Sequence, residues 1–116
     1  MIIKERQRYI LFKIVSDGEI GEQQVIRAVW RHLFQLYGEF GTSQTGLWLI
    51  EYKANEYGII RTNISSLPMV RTTLAVIHTI EGRNCLCSVQ AVSGTIKSLK
   101  TKHLSDSEVN EEIDSQ

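Results

Sequence analysis

At 116 residues, with 42% apolar and 22% charged residues, the chain has the size and composition of one soluble globular domain with a modest core. No apolar run reaches the roughly 20 residues that span a bilayer. The opening Met1-Ile2-Ile3-Lys4-Glu5-Arg6 is charged too early for a secretory signal, so a cytoplasmic protein without membrane contact is expected. Net charge is zero, yet all 13 Lys and Arg lie in residues 1–104 against eight acids there, while the last twelve residues carry five acids and no Lys or Arg. A basic body suits an anionic partner. The organisation expected is one domain over 1–104 and an acidic, mobile tail over 105–116.

In chain order, residues 8–15 alternate as a first strand, with Ile10, Phe12 and Ile14 on one face and Tyr9, Leu11 and Lys13 on the other. Helical spacing follows from about Glu22 to Tyr37, through Val25, Ile26, Val29, Trp30, Leu33, Phe34 and Leu36. Gly38 is a natural stop. Residues 38–46 read as a connector carrying one apolar residue, Phe40, able to serve a contact.

Leu47 to Lys53 alternates again, Trp48, Ile50 and Tyr52 against Leu47, Leu49, Glu51 and Lys53. The short turn at Ala54-Asn55-Glu56 makes residues 57–64 an antiparallel partner, with Ile60, Thr62 and Ile64 toward the core and Ile59, Arg61 and Asn63 away from it. Ser65 or Ser66, followed by Pro68, starts a second helix that Gly82 would end. The last strand begins near Asn84, with Cys87, Val89 and Ala91 inward. A Cys-x-Cys pair on a strand shares one face without forming a comfortable disulfide, and the scattered His32, His78 and His103 complete no metal spacing. Cys85 and Cys87 therefore read as small buried hydrophobes.

This order predicts an α+β fold: a ferredoxin-like, RRM-like βαββαβ sandwich, a four-stranded antiparallel sheet with helices on one face, plus a C-terminal helical segment and the acidic tail. The free sheet face would carry Tyr9, Leu11, Leu47, Leu49, Ile59, Arg61 and Leu86. That is too apolar to stay wet, so the segment around Leu99 and Leu104, a second copy or another protein should cover part of it. Gly58-Ile59-Ile60-Arg61 lacks the aromatic pair with which an RNA-recognition motif stacks bases. No Ser–His–Asp, Cys–His or paired-carboxylate grouping suggests catalysis by this chain.

The last strand runs into Ser93-Gly94-Thr95-Ile96-Lys97, with Lys100 and Lys102 close behind. A strand, a glycine turn and a helix start can align backbone N–H groups on an anion. The same turn can equally do no more than end the sheet. The lysines at 97, 100 and 102 make this corner a candidate phosphate contact.

Five stretches in order carry a family resemblance. They are Arg8-Tyr9-Ile10-Leu11-Phe12, Leu36-Tyr37-Gly38-Glu39-Phe40-Gly41, Trp48-Leu49-Ile50-Glu51-Tyr52 leading into Gly58-Ile59-Ile60-Arg61-Thr62, Val70-Arg71, and Val92-Ser93-Gly94-Thr95-Ile96-Lys97. Together they resemble ribonuclease P protein component 2 of archaea, the relative of the eukaryotic Pop-five subunit. The resemblance implies a protein subunit of the enzyme that removes the 5′ leader from precursor transfer RNA. It implies that the RNA subunit is the catalyst and holds the Mg2+ ions, with no cofactor on the protein. It further implies pairing with ribonuclease P protein component 3 and self-association into a dimer of such pairs. For a subunit of this kind the phosphate contacts expected are Arg61, Arg71, Lys97, Lys100 and Lys102, with Lys4, Arg6 and Arg8 from the other end of the chain, and Phe40, Leu47 and Leu49 are the residues expected to meet component 3. The competing expectation is a ferredoxin-like regulatory domain that senses a small molecule.

Overall fold

The computed structural model describes residues 6–104. Strand β1 (Gln7–Ser16) is the centre of the sheet, because its alternation leaves apolar residues on both faces. Ile10, Phe12 and Ile14 are buried on one side and Leu11 on the other. A central strand needs two such faces, and β1 pairs antiparallel with β3 (Tyr57–Asn63) and β5 (Arg83–Ser93). The full order is β2-β3-β1-β5-β4, where β2 is Trp48–Lys53 and β4 is Thr79–Ile80.

The sheet thus has five strands rather than four. The second helix, α2 (Leu67–Val76), ends well before Gly82. Ile77 leaves helical geometry with a ψ of 116°, and residues 79–80 turn back as β4. Glu81 and Gly82 both adopt positive φ, 52° and 77°, and the two-residue turn pairs Ile80 with Arg83. Double positive φ suits the twist of a tight hairpin. The buried Ile77 and Ile80 satisfy a strand as well as a helix.

Helix α1 (Glu22–Ser43) begins where Gly21 donates its N–H to Gln24 Oε1 at 2.9 Å. Gly38 breaks the helix, with φ 74° and ψ −179°, but does not end it. Helical geometry resumes to Ser43, so much of the expected connector is a kinked helix end. Val25, Ala28, Val29 and Leu33 from α1 and Val70 and Leu74 from α2 pack on Ile10, Phe12, Ile14 and Ile60. Both helices therefore cover one face. Pro68 stands in the first turn of α2, where its missing N–H costs nothing.

The other face is arranged by two β-bulges. Between β2 and β3, Leu49 opposes Ile60 and Glu51 opposes Ile59, which leaves Ile50 as the extra residue. Between β1 and β5, Leu11 opposes Ala91 and Phe12 opposes Val89, which leaves Gln90 extra. Each bulge reverses the in–out phase of the strand beyond it. Ile50 and Ala91 are thereby delivered to the outer face, beside Leu11 and Ile59. Ala91 is not inward as its alternation predicted, and Leu47 and Leu49 join the helix-side core instead of the free face.

Helix α3 (Ile96–Leu99) lies over this outer patch and continues as a π-helical turn through Lys100–Leu104. Leu99 is fully buried against Leu11 and Ile59. The expected cover for the apolar outer face is thus the chain's own Leu99. Lys4 and the acidic tail fall outside the described residues.

Candidate nucleic-acid interface

Strand register lines up one row across the outer face. Trp48 opposes Arg61, Arg61 opposes Tyr9, and Tyr9 opposes Ser93. Directly opposed residues hold their Cβ atoms about 5 Å apart. Trp48 is 61% exposed, while Arg61, Tyr9 and Ser93 are half-buried. The adjacent row holds Glu51, Ile59, Leu11 and Ala91, and there Leu99 closes the surface. The first row therefore borders the patch that α3 covers.

Arg61 Nε is buried and has no hydrogen-bond partner among the described residues. An unmatched buried donor typically costs about 1–3 kcal/mol, so this guanidinium is set up for an acceptor. Arg8, one residue before Tyr9, donates Nη1–H to the Gln7 carbonyl at 2.9 Å. Its guanidinium also reaches Gly94, where an added Cβ would sit 3.6 Å from Nη1. Arg8 and the Ser93-Gly94-Thr95 corner thus form one local group.

At that corner the amides are partly committed. Thr95 N–H donates to Ser93 Oγ at 3.3 Å, and Ser98 N–H donates to Thr95 Oγ1 at 3.1 Å. Both hydroxyls serve the turn and the cap of α3, as expected of Ser and Thr at a helix start. The structure shows a capped helix entry beside Arg8, with Gly94, Thr95 and Lys97 exposed. Lys102 is exposed as well.

Lys100 stands apart from the other lysines. Its Nζ lies 2.9 Å from Glu51 Oε1, while Tyr57 donates its hydroxyl to Glu51 Oε2 at 2.6 Å. The Tyr57 bond, and then Lys100, hold the Glu51 carboxyl below its ordinary value. Lys100 therefore ties α3 to β2, and its charge is neutralised within the chain.

Arg71 is not brought into the same group. It belongs to the helix layer and lines a groove of about 480 Å³ between α2 and β5 with Thr72, Leu86 and Ser88. Of the three apolar contact residues expected, Phe40 is 78% exposed at the kinked end of α1. Leu47 is buried and Leu49 packs against the main core, so neither offers a free side chain. Cys85 and Cys87 are free thiols and buried. Burial pushes Cys87 up to about 12 and raises Cys85 too. Among the described residues, no three His, Cys, Asp or Glu side chains group as metal ligands, and no helix is long and apolar enough to cross a membrane.

Trp48 and Tyr9 flank Arg61 on the outer face, where the sequence expectation places Tyr9 but not Trp48. Simple alternation put Trp48 with Ile50 and Tyr52 on the core face, because a bulge at Ile50 leaves no mark in composition. On β3 itself a single arginine stands between aromatics of the two flanking strands.

Residues 8–104 match the Rpp14/Pop5 family, a span that runs from the start of β1 to the end of the described fold. The chain belongs to that family. Among its relatives is ribonuclease P protein component 2 of Pyrococcus furiosus, 34% identical, with 89% of this chain and 87% of the relative covered. The protein of the same name from Methanocaldococcus jannaschii is 35% identical, covering 88% of this chain and 75% of that one. A chain in the cryo-EM structure of yeast ribonuclease MRP shares the fold, with a TM-score of 0.66 at 13% identity over 96% of this chain and 97% of the other.

Proposed function

We propose that this chain is a non-catalytic protein subunit of ribonuclease P, which binds and supports the catalytic RNA during 5′-leader removal from precursor transfer RNA. The observation that carries the reading is the match to proteins named ribonuclease P protein component 2, one of them 35% identical over 88% of this chain and 75% of its own length. The geometry supports it through cations that have no carboxylate partner shown: Arg8 at the Gly94 corner, Arg61 on β3, and exposed Lys97 and Lys102. A large folded RNA crowds its phosphates, and such a cationic strip lowers their repulsion. Mg2+ belongs to the RNA in this reading, and the protein binds no cofactor. The α+β fold is taken as a ferredoxin-like sandwich extended by the β4 hairpin.

The partners in this reading are the ribonuclease P RNA and, through it, precursor transfer RNA, in the cytoplasm of an archaeal cell. Ribonuclease P protein component 3 binds the same subunit, with Phe40 as the remaining apolar contact, and two such pairs associate through this chain. The small-molecule-sensor alternative has no finding in its favour. Reconstitution tests the proposal: ribonuclease P RNA and component 3 with or without this chain, cleaving precursor transfer RNA over a magnesium series. The chain should lower the magnesium needed for cleavage. An unchanged magnesium requirement would overturn the assignment.

A further inference from the structure

The row Trp48–Arg61–Tyr9–Ser93 has a chemistry that plain phosphate neutralisation does not require. A tryptophan 61% exposed at the edge of a sheet is an apolar surface left in water. The residue directly across from it is an arginine whose Nε lacks a partner among the described residues. On the far side of that arginine stands a half-buried tyrosine. We propose that Trp48 and Arg61 form a binding site for one unpaired RNA nucleotide, the base stacking on the Trp48 indole and its phosphate held by the Arg61 guanidinium. The inference rests on the RNA-binding reading above and names the kind of RNA that this part of the surface takes.

Three features favour a nucleotide. Strands lie about 4.8 Å apart, so Trp48 and Tyr9, two strands apart, are too far from one another to stack together. Tyr9 packs against the Leu11–Ile59–Leu99 cluster, so the exposed Trp48 indole is the face left for a flat ligand, with Arg61 beside it for a phosphate. Arg61 Nε is buried, so offering Nε and Nη together, the bidentate pairing that phosphate favours, requires the side chain to turn outward when the nucleotide binds. The surrounding charge is also suitable. The nearest carboxylate in the adjacent row, Glu51, is already neutralised by Lys100 and bonded by Tyr57, so it does not repel an anion. At the Ser93 end of the row, exposed Lys97 follows the turn and can take a neighbouring phosphate, while Arg8, one residue before Tyr9, alternates to the opposite face.

The base must be unpaired, because a base inside a duplex has no free face to give. Stacking on an aromatic side chain is indifferent to base identity and contributes little salt dependence, whereas phosphate contacts carry the salt dependence. Trp48 also borders an apolar groove of about 210 Å³ with Trp30 and Ile26 of α1. That groove is the place where a protein would reach the same indole, and the test separates the two.

Trp30 and Trp48 are the chain's two tryptophans, so a Trp30→Phe background isolates the Trp48 signal. Its fluorescence is followed on adding full-length ribonuclease P RNA, and separately the component 3 protein. Affinity for the RNA is measured across a salt series for Trp48→Ala, Trp48→Phe and Arg61→Ala, with circular dichroism as the check of folding. RNA should quench Trp48. Trp48→Ala should weaken RNA binding roughly five- to hundredfold with an unchanged salt slope. Trp48→Phe should retain most of the affinity, and Arg61→Ala should lower the slope by about 0.7. If the parent chain binds the RNA but Trp48→Ala stays within twofold of it, or if only the protein partner quenches Trp48, the nucleotide site is overturned and the RNA-binding reading survives. If the parent chain does not bind the RNA, both fall.

Discussion

Lys100 Nζ sits 2.9 Å from Glu51 Oε1, and this pair fastens the C-terminal helix to the edge half of the sheet. Both side chains are partly exposed, at 44% and 35%, so the pair contributes no more than about 0.5–1 kcal/mol. The carboxyl of Glu51 is held below its ordinary value of 4.5, first by Tyr57 and then by Lys100. A folded-state value below the unfolded one gives stabilisation that is fully present above the unfolded value and lost as pH falls through the folded one. Amide exchange in α3, taken relative to the intrinsic rate at each pH, should therefore accelerate below about pH 4.5 in the native chain. In Glu51→Gln it should be faster at neutral pH and lose most of that acid dependence. Lys100→Ala should loosen α3 in the same way.

Gly58 is fixed by Phe12. The two residues oppose one another between β3 and β1, and a Cβ at Gly58 would overlap the Phe12 ring, 2.7 Å from Cε1. Phe12 is fully buried beneath the helices and has no room to retreat. Gly58→Ala should cost about 1–3 kcal/mol in chemical denaturation, the range for overpacking a close-fitted core. Phe12→Leu alone should also destabilise, through the lost ring volume. In the double variant, part of the Gly58→Ala penalty should disappear, because the alanine then fills space the ring vacated.

Much of the fold was legible because its signals are local. The alternation of Ile10, Phe12 and Ile14, the helical spacing from Val25 to Leu33, and Pro68 at a helix start all depend on neighbours in sequence. Ile50 and Gln90 were not legible. A bulge is a property of two strands, and it reversed the phase of Leu47, Leu49 and Ala91 relative to simple alternation. The helix expected through Ile80 failed for a related reason, since Ile77 and Ile80 bury equally well on a helix or in a hairpin. Of the candidate site, the sequence shows the basic residues only as charges in order along the chain. The commitment of Lys100 to Glu51, 49 positions away in sequence, was not legible, nor was the alignment of Trp48 with Arg61.

The two thiols should be inert in the native state. Cys87 is buried, with its thiol pushed up to about 12, and Cys85 is raised by burial. The thiolate is the reactive form. At pH 8, iodoacetamide should leave both unmodified in the folded chain and modify both in denaturant, as read by intact mass. Rapid single modification under native conditions would contradict the packing of β5.

Leu99 is the buried apolar anchor of α3, seated on Leu11 and Ile59 in a small cluster separate from the main core. Leu99→Ala removes that anchor and should cost about 2–3 kcal/mol, the low end for such truncations, because α3 can shift to close part of the gap. The loss should be local first. Amide protection should fall in residues 96–102 while the β1–β3 ladder keeps its protection, since Ile10, Phe12 and Ile60 are packed by α1 and α2 instead. Equal loss of protection in both would show that the outer cluster is part of the main cooperative unit.

Lys97 is exposed just after the Gly94 turn and Lys102 in the segment that follows α3, whereas Lys53 is exposed at the far end of β2 in an ion pair with Glu56 at 3.0 Å. Each phosphate that a lysine neutralises releases counterions, which steepens the fall of affinity with salt. Replacing Lys97 with Ala, and separately Lys102, should weaken binding to ribonuclease P RNA and reduce the salt slope by about one unit each. Lys53→Ala should leave the slope alone, and Lys100→Ala should change it far less than Lys97→Ala, since Glu51 already takes the Lys100 charge. All four variants should unfold within about 1 kcal/mol of the parent chain, because none of the four side chains lies in the core. If Lys53→Ala and Lys97→Ala were to lower the slope equally, the RNA would be reading net charge over the whole molecule, and the corner where β5 runs into α3 would have no special part in it.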